Sequence, residues 1–149
     1  MSESASEDRG TSRVVAAVLH AAGRLDALSR GVTIAALIGF PAAGLAGAPR
    51  AVAWLLVAAV LAGLAELWFA ARVALDAALF ADQARAGDPA DWHALDTGLI
   101  RLGLMPAAKA GRPAAPRIAG ALRLAKVQAA CLAAQILLVL AGGAACQRF

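Results

Sequence analysis

The stretch AVAWLLVAAVLAGLAELWFA, residues 51–70, holds a single charged side chain, Glu66, among twenty residues and lies between Arg50 and Arg72. As an α-helix it would be ~30 Å long, the thickness of a bilayer's hydrocarbon core. Trp54 and Trp68 stand near its two ends, where indoles favour the water–lipid boundary. This run predicts a membrane-spanning helix, and with it the class of the whole chain.

Two further runs support that class. Residues 31–48 (GVTIAALIGFPAAGLAGA) contain no charge, and residues 127–145 (VQAACLAAQILLVLAGGAA) contain none either. Each is long enough for a span. Ala48-Pro49-Arg50 is a tight turn, so the first two spans should form an antiparallel hairpin. Pro41 should kink the first span, with neighbouring helices satisfying the freed carbonyl. The composition agrees: 61% of residues are apolar and 16% charged, against about 45–50% and about 25% in soluble domains.

Between and before the spans the pattern is amphipathic. Residues 1–11 are polar and predict a disordered tail. Thr11 or Ser12 is a suitable N-cap for a helix over 12–30, whose apolar stripe would be Val14, Val18, Ala21, Leu25 and Leu28, lying on the membrane or on the protein itself. The second span (51–71) should extend as helix to residue 86, with Arg72–Asp76 and Asp82–Arg85 positioned to pair and Gly87 as the stop. Asp88-Pro89 is a strong helix start, and Trp92, Leu95, Leu99 and Leu102 predict an amphipathic helix over 89–105, with His93 and Asp96 on its opposite face. A basic, proline-punctuated linker follows over 106–116, and then a helix over 117–146 that contains the third span. The expectation is an all-α integral membrane bundle of three transmembrane helices with amphipathic cytoplasmic helices.

The basic residues are distributed unevenly. Twelve of the fourteen Lys and Arg lie before the first span or in the long second connection, and only Arg50 and Arg148 lie on the other side. The positive-inside rule then puts the N-terminus in the cytoplasm and the C-terminus outside an inner membrane.

Polar groups within the runs are the first candidates for function, because they are costly in hydrocarbon. Glu66 shares a face with Ala59 and Gly63, and Gln128, Cys131 and Gln135 share one on the last helix, so Glu66 should bond Gln128 or Gln135 at matching depth. Gly39, Ala43 and Gly47 form small-residue steps that permit close helix approach. Lys109, Arg112, Arg117, Arg123 and Lys126 gather where the third span begins and suit anionic lipid headgroups. No basic patch interleaved with aromatics suggests nucleic acid, and neither histidine lies in a span to hold haem. The two cysteines, Cys131 and Cys146, would lie ~22 Å apart on one helix, and no metal-ligand spacing, cofactor motif or hydrolase motif is present. These features favour a non-catalytic subunit that assembles with itself or a larger membrane complex. The alternatives are a small transport or proton-coupled protein using Glu66, and an anionic-lipid-binding protein.

Overall fold

The computed structural model describes residues 2–85 and 92–147, and among these there is no strand. Three long helices, α1 (Ser2–Leu45), α2 (Arg50–Arg85) and α4 (Ala114–Cys146), are joined by a short α3 (Trp92–Arg101) and a 3₁₀ turn (Ala107–Lys109). All three long helices are apolar and long enough to cross a membrane. The 36-residue α2 is ~54 Å long, so about 24 Å of it projects past a bilayer core.

The hairpin turn follows from one glycine. Gly47 has φ 69°, and the Ala48 and Gly47 amides donate to the Ala43 and Gly44 carbonyls at 2.9 and 3.2 Å. This is a Schellman ending, which caps the last carbonyls of α1 and sends the chain directly into α2. Gly47 therefore serves the turn and is not the helix-packing step expected of it.

α1 differs from expectation in two ways. The predicted surface helix over 12–30 and the predicted span over 31–48 are one continuous helix, which starts at Ser2 within the segment expected to be disordered and runs through Pro41. Its inward stripe is Ser12, Val15, Ala16, Leu19, Ala22 and Ser29, while Val14, Val18 and Leu28 are exposed. The stripe is displaced by one residue, about 100° around the helix, from the expected one.

α1 and α2 run antiparallel, with Thr33 and Gly63 in contact and Gly39 facing Leu56. α4 runs parallel to α1. Two apolar layers hold the bundle. Near one end Val15, Ala16 and Leu19 meet Val73, Ala77, Phe80 and Ala121. Near the other, Ala36 meets Val52, Leu56 and Ala59. Outward, large apolar side chains such as Ile38, Trp54, Leu61, Trp68 and Leu137 are exposed. In lipid such a surface is matched to its solvent.

The projecting part of α2, the start of α4, α3 and the following loop form a cap. α3 ends at a second Schellman turn, with Gly103 at φ 70° and the Leu104 amide donating to the Leu99 carbonyl at 2.9 Å. The helix thus stops four residues short of the expected residue 105, which leaves Leu102 exposed. The predicted stop at Gly87 and start at Asp88-Pro89 lie outside the described residues, as does Arg148.

Candidate functional site

Between the two apolar layers lie two polar tiers. In the first, Glu66 and Gln128 are both fully buried, and Gln128 Nε2 donates to Glu66 Oε1 at 2.7 Å and to the Ala22 carbonyl at 3.3 Å. One amide therefore joins α4 to α2 and to α1. In the second tier, Gln135 Nε2 donates to Thr33 Oγ1 at 2.7 Å and to the Ser29 carbonyl at 3.3 Å. Ser29 Oγ donates to Gln135 Oε1 at 2.9 Å. The sequence expectation that Glu66 bonds Gln128 or Gln135 resolves to Gln128, and Gln135 takes two hydroxyl partners that the sequence reading passed over.

The local sequence explains the geometry. Ala22 and Ser29 are seven apart on α1, and Gln128 and Gln135 are seven apart on α4. Parallel helices with a common seven-residue step meet at successive levels along one seam. Gly63 makes room for the second tier: a Cβ there would strike Thr33 Oγ1 and would lie 2.6 Å from Gln135 Nε2. Ala59 is fully buried among Ala36, Val52 and Leu56, whereas Gly39 faces Leu56 at ordinary contact distance and Ala43 is partly buried against the same layer. Cys131 is half-buried and stands outside both tiers.

The first tier is incompletely satisfied. Glu66 Oε2 and Gln128 Oε1 have no hydrogen-bond partner among the described residues. Both are acceptors, so the pair keeps two buried oxygens that no donor among the described residues reaches.

The cap has its own polar centre. Asp96 is 1% exposed and accepts two bonds from Arg117, Nη1 to Oδ1 at 2.8 Å and Nη2 to Oδ2 at 2.7 Å. The Gly111 amide, at φ 70°, donates to Oδ2 at 2.7 Å. Arg117 also lies over the Trp92 ring at 4.9 Å, and Trp92 meets Phe80 edge-on at 6.0 Å. These contacts clamp α3 between α2 and α4. The Arg117 guanidinium, with help from Gly111, holds the Asp96 carboxyl below the ordinary carboxylate range despite burial. Asp96 thus faces inward, opposite to its expected position beside His93. Its signal was legible: with Trp92, Leu95 and Leu99 it completes an i, i+3, i+4, i+7 face.

Of the five expected headgroup cations, Arg117 is taken by Asp96, and Lys109, Arg112, Arg123 and Lys126 are exposed. A half-open cavity of 440 Å³ lies inside the cap, with Arg72, Asp76, Lys109, Arg112 and Arg117 on its walls. Arg72 stacks on Trp68 at 5.6 Å rather than forming the expected ion pair with Asp76, whereas Arg85 does pair with Asp82 at 2.8 Å. Burial pushes the Asp76 carboxyl above its ordinary range, against the opposing pull of Arg72.

None of the protein-family models, curated proteins or solved structures compared with this chain matches it.

Proposed function

We propose that this chain is a non-catalytic subunit of a bacterial-type inner membrane, assembling with itself or with a larger membrane complex. One observation carries the reading: the acid and the two amides of the apolar runs are fully buried and each is bonded to a neighbouring helix, Glu66 to Gln128 and Gln135 to Thr33, so they act as internal helix glue. What remains for other molecules is the outward apolar face and the cap. The basic residues favour a cytoplasmic N-terminus and cap, with the C-terminus outside. Native mass spectrometry and crosslinking in mild detergent test this. Oligomers or a co-purifying membrane protein are expected, and a strict monomer without partners would overturn it.

The unpartnered oxygens of Glu66 and Gln128 favour a second reading, a proton-coupled transporter using Glu66. In that case Glu66→Gln abolishes flux in proteoliposomes while the fold is retained. Unchanged flux removes the reading.

A further inference from the structure

The cap cavity lies on the water side of the apolar runs. Its α2 wall extends from Arg72 to Phe80 and its α4 wall from Pro116 to Leu124, so it is ~12 Å long. Lys109 and Arg112 stand beside the start of α4 at Ala114, ~20 Å along the helix from Val127, where the last apolar run begins. The cavity is half open and holds 440 Å³.

Its wall is apolar and its rim is positive. Leu75, Leu79, Leu95 and Leu99 are only half-buried, and Leu104 on the rim is 47% exposed. Leu102, two residues before it, is 74% exposed, so the apolar surface continues beyond the cavity. Large aliphatic side chains left open on the water side mark a surface that another molecule covers. The charge is one-sided as well: from residue 97 to residue 149 the chain contains no Asp or Glu. Asp96 is taken by Arg117, Asp76 is the one carboxylate of the lining, and Lys109 and Arg112 form no ion pair among the described residues.

Size and sign together select the occupant. A lipid headgroup at the level of Val127 does not reach Lys109 and Arg112. A small anion would leave the leucines uncovered, and a nucleic acid brings no aliphatic face to meet them. A second copy of this chain is poorly matched in charge, because its Asp26 and Asp82 are already paired with Arg30 and Arg85. What fits is an apolar stripe flanked by carboxylates.

We propose that the cap cavity docks an acidic amphipathic segment of a different protein, which in the proposed orientation arrives from the cytoplasm. A helix of about eight residues, roughly two turns, matches the cavity's length. Its apolar face lies on the leucine wall, and its carboxylates meet Lys109 and Arg112 at the rim. The inference rests on the subunit reading, of which it names the contact surface and the chemistry of the partner.

The experiment is photocrosslinking of the full-length chain in its native cells, with benzoylphenylalanine in place of the exposed Leu104 and, as a control, of Leu137 on the outward face. Mass spectrometry then identifies the joined peptide. At position 104 a single partner protein is expected, joined through a segment in which Asp and Glu outnumber Lys and Arg. Lys109→Ala/Arg112→Ala should lower that yield at least about fivefold, the effect of two exposed charge pairs. Arg123→Ala/Lys126→Ala, outside the cavity, should lower it less than about twofold. The joined segment, made as a labelled peptide, should bind the purified protein in neutral detergent. With its acids replaced by the corresponding amides it should bind at least about fivefold more weakly. A partner that co-purifies yet gives no crosslink at position 104 would overturn the docking site and leave the subunit role standing, whereas a chain with no partner at all would overturn both. Crosslinks at 104 only to lipid, to a second copy or to a segment without acidic excess would also overturn the proposal, as would equal losses in the two double variants. Lys109 and Arg112 are exposed, so their replacement leaves the fold in place, which circular dichroism checks.

Discussion

Gly63 and Gly39 both face a neighbouring helix, yet a methyl group at each has a different cost. At Gly63 it would enter the Thr33–Gln135 bond, whereas at Gly39 it would meet Leu56 methyls at 3.7 Å, an ordinary contact. Gly63→Ala should therefore destabilise the bundle by about 1–3 kcal/mol, and Gly39→Ala by much less, as thermal unfolding in detergent would report. Glu66→Gln keeps an acceptor for Gln128 Nε2 and adds an N–H that Gln128 Oε1 can accept. It should lie within about 0.5 kcal/mol of the parent, while Glu66→Leu should cost about 1–2 kcal/mol. A destabilised Glu66→Gln would mean that the first tier depends on the charge. At this scale the sequence was partly readable. A lone acid and two glutamines in apolar runs announce themselves, because each is costly in hydrocarbon. Ser29 and Thr33 do not, since a hydroxyl can return its bond to its own helix, as Thr33 does to the Ser29 carbonyl at 2.9 Å.

At the scale of the element, α3 depends on the Asp96–Arg117 clamp. Because the Asp96 carboxyl is held below its ordinary range, the clamp contributes fully above the unfolded-chain value of about 3.9. Its contribution declines as pH falls below that value and is lost through the lower, folded-state value. Hydrogen exchange over residues 92–112 should thus be slow at neutral pH and accelerate in acid ahead of the three long helices. Asp96→Asn should release the same segment at neutral pH, costing about 3 kcal/mol by leaving Arg117 largely buried without its counter-charge. Slow exchange in that variant would show that Trp92 packing alone holds α3. The long helices were legible from their length and apolarity, but the orientation of α1 was not. Stripes through Val14 and Val18 or through Val15 and Leu19 both read as amphipathic. The choice is made elsewhere, where Thr33 meets Gly63, and an unbroken helix carries that rotation back to Ser12.

For the whole molecule, the proposed orientation puts the two cysteines in different surroundings. Cys146 is exposed at the outer end of α4 and Cys131 is half-buried within its apolar run. A membrane-impermeant maleimide added to spheroplasts should label Cys146 and leave Cys131 unreacted. Labelling only after permeabilisation would invert the topology. The arginines alone yield an expectation for sidedness, which this labelling tests, whereas the cap gave no sequence signal, because its cavity is assembled from segments far apart in the chain. The polar seam also bears on biogenesis. Ribosomes deliver the hairpin before α4, so in the proposed membrane setting Glu66 would enter the bilayer with its amide partner still unsynthesised. A chain halted at residue 113 should be a short-lived guest, kept by an insertase or cleared by a membrane protease, until a separately expressed α4 segment rescues it.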